Sequence, residues 1–192
     1  MAEEAEEKPK KKKKYGSVKR GISDMFRTSY RTHLELSSLA DNKSNIMISI
    51  NGVIISIVIA SISPKIDSNP WLLIPTAMLL LSSLLSMVFA IISARPRVNN
   101  EPVSLDDVRS NRANILFFGN FYTMSREDYV EGMSELMQNS ERLYDNMSRD
   151  IHGLGEVLAK KYRMLRVSYN VFMFGLILSV FSFIGVYMMV SL

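Results

Sequence analysis

Residues 46–62 read IMISINGVIISIVIASI and contain no Asp, Glu, Lys or Arg. Two further blocks that lack these four residue types follow, Trp71–Ser93 and Val167–Leu192. A helix that crosses a bilayer core about 30 Å thick needs roughly 20 apolar residues. The three blocks therefore predict an all-α membrane protein with three transmembrane helices, and they argue against a soluble enzyme.

The composition of the 192 residues limits the chemistry that the chain can perform. It contains no Cys and only two His, so a disulfide framework, a thiol nucleophile and a thiolate metal site are excluded. The sequence also lacks a Gly-rich phosphate loop, a Gly-x-Ser-x-Gly elbow and a His-Glu-x-x-His motif. We therefore predict no catalytic residue, no metal ligand and no resident cofactor, and we do not expect an enzyme.

Basic residues beside the spans predict their orientation, because Lys and Arg are enriched in cytoplasmic loops. Lys43 precedes the first span, Arg95 follows the second, and Lys160 and Lys161 precede the third. We therefore expect a cytoplasmic N-terminus and a C-terminus outside the cell.

These boundaries predict seven segments along the chain. They are a disordered Lys-rich cytoplasmic tail (1–21), a cytoplasmic helix that enters the membrane as one rod (22–43), the first transmembrane helix (44–63), an external turn (64–70), the second transmembrane helix (71–94), a cytoplasmic helical region (95–166) and the third transmembrane helix (167–190).

The tail accounts for the net charge of +4, since Met1–Arg20 holds eight Lys or Arg residues against four Glu. A run of Lys beside a membrane is typical of contact with anionic lipid headgroups, at about 1 kcal/mol per charge. A solvated, disordered tail is the alternative. Nucleic acid is not a predicted partner, because no aromatic residues are interleaved with Lys10–Lys14.

Within the 95–166 region, Ser125 and Asp128 have the spacing of a capping box and open a long helical pattern that runs toward the third span. Gly153 and Gly155 lie inside this pattern, and each disfavours a helix by about 1 kcal/mol relative to Ala. We predict a break or hinge at these glycines.

Small and polar residues recur at helical spacing in each span. They are Asn45, Ser49, Gly52 and Ser56 in the first span, Ser82 and Ser86 in the second, and Gly175 and Ser179 in the third. One interpretation is close packing of helices in a bundle or oligomer. The other is that part of the stripe, with Asn51, lines a water path in an assembly. Both interpretations predict a homo-oligomer, since three short spans do not enclose a cavity alone.

Five polar residues near the cytoplasmic ends of the first two spans are candidates for ligand binding: Arg31, His33, Asp41, Lys43 and Arg95. The simpler interpretation is ion pairing at the headgroup layer, with an ordinary helix-surface imidazole at His33. The alternative is a site for a phosphate-bearing ligand, which basic side chains recognise through charge-assisted hydrogen bonds.

Several short motifs occur in a characteristic order: YRTHL at 30–34, LADNKSNI at 39–46, ARPR at 94–97, LFFGN at 116–120, DYV at 128–130, LY at 143–144 and LAKKYRMLR at 158–166. In this combination the chain resembles the transmembrane effector family of the bacterial Pycsar (pyrimidine cyclase) anti-phage defence system. The resemblance extends from about Arg27 to Ile184.

The resemblance implies a multi-pass protein of the bacterial inner membrane that binds a cyclic nucleotide. Its regulatory ligand is expected to be cyclic CMP or cyclic UMP, made by a partner pyrimidine cyclase after infection. Binding is expected to impair membrane integrity and cause abortive infection. Two alternatives share the same sequence features: a constitutive small oligomeric channel and a membrane-anchored interaction module.

Overall fold

The computed structural model describes residues 7–62, 69–96 and 102–191, which form helices and loops without any strand. The α-helices are α1 (Glu7–Ile62), α2 (Leu73–Ala94), α3 (Leu105–Arg109), α4 (Phe118–Phe121), α5 (Arg126–Gln138) and α6 (Ser140–Ser191), and a 3-10 turn covers Pro70–Leu72. The predicted all-α class is confirmed.

Three of these helices are long and apolar enough to cross a membrane, which confirms the predicted number of spans. The candidate spans lie within Val18–Ile62, Pro70–Ala94 and Ser140–Val190. Large apolar side chains on their outer faces are exposed, among them Leu81 and Phe181. Exposed apolar side chains along a helix of this length are suited to contact with lipid tails.

Helix α1 is one uninterrupted helix of 56 residues. This is far more than the roughly 20 residues that a helix needs to cross a bilayer core. It includes residues 7–21, which the sequence predicts to be disordered, whereas residues 1–6 lie outside the described residues. The sequence of this tail is compatible with a helix, because Lys is a good helix former and Pro9 lies in the first turn of α1, where its missing N–H costs little.

The ends of α2 agree with the predicted turn chemistry. Asn69 precedes the 3-10 turn, and Arg95 leaves the helical conformation at ψ 127° because Pro96 follows it. Residues 63–68, which include most of the predicted external turn, lie outside the described residues.

The long helical pattern after Ser125 is broken at Asn139, not at the glycines. Ser125 caps α5 as predicted, since its hydroxyl accepts a hydrogen bond from the Asp128 N–H over 3.0 Å. Asn139 is extended, and its Oδ1 accepts hydrogen bonds from the N–H groups of Glu141 and Arg142, both over 3.1 Å. An Asn side chain therefore supplies the cap that starts α6.

Helix α6 continues without interruption through Gly153 and Gly155, so the predicted break is absent from this structure. A single glycine costs only about 1 kcal/mol in a helix, and 52 residues of backbone hydrogen bonding and packing outweigh it. A hinge at these glycines stays a prediction.

The chain divides into two compact units. The extramembrane unit comprises the described residues of 1–35 and 98–155, and the membrane unit those of 36–97 and 156–192. The core of the extramembrane unit consists of Val108, Ile115 and Leu136. Gly132 fits closely against it, since a Cβ at this position would lie 2.7 Å from Ile115 Cδ1.

Candidate functional site

Polar groups join α2 to α6 at three levels of the membrane unit. The residue pairs are Ser93 with Lys161, Ser86 with Ser168, and Pro75 with Ser179. In each pair a serine hydroxyl donates to a backbone carbonyl over 2.9–3.0 Å. The eighteen steps from Pro75 to Ser93 rise about 27 Å along α2, a length close to the thickness of a bilayer core.

The register of these pairs is constant and antiparallel. Seven residues separate Ser93 from Ser86, and seven also separate their partners Lys161 and Ser168. A matching pair of eleven-residue steps leads on to the third level. Steps of seven and eleven residues return a helix to nearly the same face, so one polar strip on each helix faces the other.

Helix α1 joins this contact at the middle level. The Asn51 Nδ2 donates to the Met47 carbonyl over 2.8 Å and to Ser86 Oγ over 3.1 Å. Ser86 Oγ donates to the Ser168 carbonyl, and Ser168 Oγ donates back to the Ser86 carbonyl over 2.8 Å. Asn51, Ser86 and Ser168 are fully buried. Three helices therefore meet at one hydrogen-bonded cluster inside the apolar part of the chain.

Two polar atoms beside this cluster have no hydrogen-bond partner among the described residues. They are Asn51 Oδ1 and Ser83 Oγ, and both side chains are fully buried. The orientation of the Asn51 amide follows from its neighbours, because the Met47 carbonyl accepts a hydrogen bond and requires the NH₂ group opposite it. The unpaired atom is therefore the amide oxygen.

Helices α2 and α6 approach each other closely at Gly175. A Cβ at this position would overlap the side chain of Ser82 and would lie 3.5 Å from the Ser82 Cα. Gly52 of α1 similarly faces Met87, whose Cε would be 3.7 Å from a Cβ. Small residues let helix backbones approach closely in a membrane, where van der Waals contact is a main source of attraction.

A charged contact closes one end of the membrane unit. The Lys161 ammonium donates to both carboxylate oxygens of Asp41 over 2.8 Å and to Ser37 Oγ over 3.0 Å. Only 12% of the Lys161 side chain is exposed. Three donor hydrogens thus find partners on α1, which links α6 to α1 through a charge-assisted hydrogen bond.

The extramembrane unit contains a buried carboxylate. Asp150 is 6% exposed and accepts hydrogen bonds from the Tyr30 hydroxyl and, over 3.0 Å, from Asn114 Nδ2. Burial raises the pKa of Tyr30 above its ordinary value, and the hydrogen bond to Asp150 adds to this rise. The contact joins α1, α6 and the loop before α4, and it provides the donors that a buried carboxylate requires.

A surface cluster of charges lies where α3 meets α5. The Arg109 guanidinium donates to Glu135 over 3.1 Å and to Glu131 over 2.6 Å. The hydrogen bond from Arg109 lowers the pKa of Glu135, and a hydrogen bond from the Ser104 hydroxyl lowers that of Asp107. Beside this cluster a shallow groove of about 540 Å³ runs along α5. Within the described ranges, no group of three His, Asp or Glu side chains is arranged to hold a metal ion.

A family model described as the Pycsar effector protein domain matches residues 24–188, which is most of the chain. The chain belongs to the Pycsar effector family. This membership confirms the resemblance found in the sequence and supports a role in anti-phage defence. The family is not a known enzyme family. No curated protein and no solved structure matches the chain.

In this Pycsar effector, the residues predicted to form small-residue stripes occupy two kinds of surface. Four of them lie at the α2–α6 contact or beside it: Ser82, Ser86, Gly175 and Ser179. Gly52 faces α2, whereas Asn45, Ser49 and Ser56 are exposed in the single chain. The buried face of α1 carries a different set, namely Ala40, Ser44, Met47 and Asn51. The two predicted roles of the stripes, helix packing and lining of a water path, stay predictions.

The five predicted ligand residues are distributed over both units. In the extramembrane unit, Arg31 forms an exposed ion pair with Glu35 over 3.0 Å, and His33 Nδ1 lies 2.9 Å from the Ser29 carbonyl. In the membrane unit, the Asp41 carboxylate binds Lys161. The remaining two, Lys43 and Arg95, are exposed. Their role in ligand binding stays a prediction.

Sequence reasoning missed the partners of the buried groups. Tyr30 and Asp150 are 120 residues apart, and Asp150 differs from the exposed acids only in lying within an apolar helical pattern. Lys161 attracted notice only as a residue that sets orientation. The register of α2 against α6 could have been found in the sequence, because Ser86 and Ser93 have the same seven-residue spacing as Lys161 and Ser168.

Proposed function

We propose that this protein is a membrane effector that cyclic CMP or cyclic UMP activates to impair the bacterial inner membrane and cause abortive infection. The observation that carries the proposal is the match of residues 24–188 to the Pycsar effector domain. The matched region includes most of the extramembrane unit and most of each of the three helices that are long enough to cross a membrane.

Two continuous helices provide a physical route from ligand to membrane. Helices α1 and α6 each contribute residues to the extramembrane unit and to the membrane unit. On this proposal the extramembrane unit is cytoplasmic, where it meets a nucleotide made by a partner pyrimidine cyclase. The nucleotide shifts the protein toward its active arrangement only by binding that arrangement more tightly than the resting one.

The basic residues predicted from the sequence remain the candidates for the phosphate of the nucleotide. The Arg31 guanidinium is exposed and forms an ion pair with the exposed carboxylate of Glu35, which a phosphodiester would replace as the acceptor. Lys43 and Arg95 are exposed cations of the membrane unit. We further propose that the protein acts as a homo-oligomer and without catalysis, a metal or a resident cofactor.

The test is release of a trapped dye from liposomes that contain anionic lipid and the purified protein. Release is measured without nucleotide and then separately with cyclic CMP, cyclic UMP, cyclic AMP and cyclic GMP. Release triggered by one pyrimidine nucleotide would support the proposal and identify the signal. Release that needs no nucleotide would support the constitutive channel. Binding of a nucleotide without release would favour the interaction module.

The binding site is tested by calorimetry with the nucleotide that triggers release. Arg31→Ala should weaken binding, because it removes a cation from the proposed phosphate contact. Arg27→Ala is the matched control, since Arg27 is also exposed on α1 and is not a candidate. Equal affinities for the two variants would remove Arg31 from the site.

A further inference from the structure

The centre of the membrane unit contains a polar seam, which we define as Asn51, Ser83, Ser86 and Ser168. All four side chains are fully buried, and they come from α1, α2 and α6. Hydrogen bonds connect Asn51 to Ser86 and Ser86 to Ser168. The seam is therefore a buried site at which all three of these helices share polar contacts.

Two polar atoms of the seam lack a hydrogen-bond partner among the described residues. They are Asn51 Oδ1 and Ser83 Oγ, although neither side chain is exposed. Buried polar groups almost always have a partner, and ordered water commonly fills this role when protein groups do not. Both orphan atoms accept hydrogen bonds, and a water molecule supplies two donor hydrogens. The unpaired atoms therefore point to water as the ligand of the seam.

Ser56, on the exposed polar face of α1, does not need water in the same way. It donates its hydroxyl hydrogen to the Gly52 carbonyl of its own helix over 2.9 Å. A hydroxyl bonded in this way is compatible with lipid, because its hydrogen is already satisfied. The contrast favours the seam over the exposed stripe as the place that benefits from entry of water.

We propose that the polar seam binds water inside the membrane and is where the bundle hydrates when the protein permeabilises a bilayer, with Asn51 and Ser83 taking up the first water molecules. This inference rests on the proposed membrane-impairing function and assigns that function to particular residues. Separation of the helices at the seam exposes a column of hydroxyl and amide groups, which stabilise the entering water.

The first test introduces a charge that only a hydrated seam can accommodate. Asn51→Asp replaces an amide with a carboxylate of the same shape, and an ionised carboxylate favours the hydrated arrangement. Asn170→Asp is the matched control, because Asn170 lies on the exposed face of α6, two residues from Ser168. Dye release from liposomes is measured without nucleotide at neutral pH.

We expect Asn51→Asp to release dye at least about tenfold faster than the unsubstituted protein, because a charge is far more costly to bury than an amide. Asn170→Asp should remain within about twofold, because its side chain is already outside the seam. Faster release by Asn170→Asp, or no increase in an inserted, helical Asn51→Asp protein, would overturn the proposal.

The second test uses the absence of cysteine from the chain and does not depend on tolerance of a charge. Ser83→Cys is nearly isosteric, and its thiol reacts with silver ion only where water and the ion reach it. The control is Leu84→Cys on the neighbouring exposed face, at the same depth. We expect reaction at least about tenfold faster at position 83 than at position 84, because the thiolate forms only in water. Equal rates would overturn the proposal.

The Asn51→Asp comparison uses no nucleotide, whereas the reaction with silver ion is measured both without nucleotide and with the nucleotide that triggers release, so the two proposals fail separately. If no nucleotide triggers release from the unsubstituted protein while Asn51→Asp releases dye, the proposed signal is wrong and the seam is supported. If a pyrimidine nucleotide triggers release but Ser83→Cys reacts no faster than Leu84→Cys in the presence of that nucleotide, the signal is right and the seam is wrong.

Discussion

Gly175→Ala perturbs a close contact between α2 and α6 in the membrane unit. The added Cβ would overlap both the Cβ and the Oγ of Ser82 on the facing helix. The Ser82 side chain has little freedom to move away, since its hydroxyl donates to the Leu79 carbonyl over 3.0 Å. The substitution therefore forces α2 and α6 apart at this level, or breaks the hydrogen bond of Ser82.

The expected cost follows from two opposing contributions. Overpacking of a close contact destabilises a protein by about 1–3 kcal/mol. Replacement of glycine by alanine inside a helix stabilises it by up to about 1 kcal/mol. Gly185→Ala isolates the second contribution, because a Cβ at Gly185 would meet nothing within 4 Å. The free energy of unfolding of Gly175→Ala should therefore fall about 1–3 kcal/mol below that of Gly185→Ala.

The assay is unfolding of the full chain in detergent micelles, followed by helical circular dichroism and by the fluorescence of the single tryptophan, Trp71. Ser82→Gly provides a rescue, because it removes the atoms that the new Cβ would overlap. In a double-mutant cycle, Gly175→Ala should cost little in the Ser82→Gly background. Equal stabilities of Gly175→Ala and Gly185→Ala, or the absence of coupling to Ser82, would refute the reasoning.

Three further predictions concern the polar contacts. Tyr30→Phe should destabilise the chain by about 1 kcal/mol relative to Tyr169→Phe, an exposed control, because buried Asp150 loses a donor. The pKa of Tyr30 is raised in the folded state, so the unfolded chain loses this proton first. Stability should therefore fall as pH rises above about 10, and less steeply in Tyr30→Phe, when unfolding is measured against pH. Arg109→Gln should raise the pKa of the Glu135 carboxyl in an NMR titration, because the hydrogen bond from Arg109 lowers it; an unchanged pKa would contradict this cause. Asp41→Asn should lower the melting temperature more than Asp145→Asn, since Asp41 pairs with the largely buried Lys161, whereas Asp145 forms an exposed pair with Arg149; equal shifts would argue against the Lys161 contact.

The spans were predictable because lipid imposes a simple requirement on sequence. Residues 46–62 carry no charge, and the cost of a charge in a bilayer core leaves few alternatives to a spanning helix. The cap at Ser125 was equally predictable, since a hydroxyl three residues before Asp128 accepts a hydrogen bond from the backbone N–H of Asp128. Both features depend on interactions that are local in the chain.

The break at Asn139 shows where local reasoning chose the wrong residue. Two glycines make a helix weaker, but they provide nothing that ends it. Asn139 provides an acceptor for the free N–H groups of Glu141 and Arg142, so it both stops α5 and starts α6. Capping groups were a better guide to this boundary than helix propensity.

The buried face of α1 was beyond sequence reasoning for a different reason. The predicted stripe of Asn45 and Ser49 and the observed buried set of Ser44 and Asn51 both combine small and polar residues at helical spacing. Neighbouring residues of a helix point about 100° apart, so the two faces are distinct, but periodicity alone does not rank them. The contact with Ser86, 35 residues away, decides which face is buried.

The interhelical hydrogen bonds contribute a limited free energy to the closed arrangement of the membrane unit. Five such bonds join the helices through Asn51, Ser86, Ser93, Ser168 and Ser179. At about 0.6 kcal/mol each inside a membrane, they contribute about 3 kcal/mol. A switch from 1:99 to 99:1 requires a ligand to prefer one state by about 5.5 kcal/mol. A nucleotide with that preference exceeds the contribution of these bonds, so it suffices to separate them, and close packing at Gly175 and Ser82 adds to the resistance. If the packing has this role, Gly175→Ala should raise dye release in the absence of nucleotide as well as lower stability.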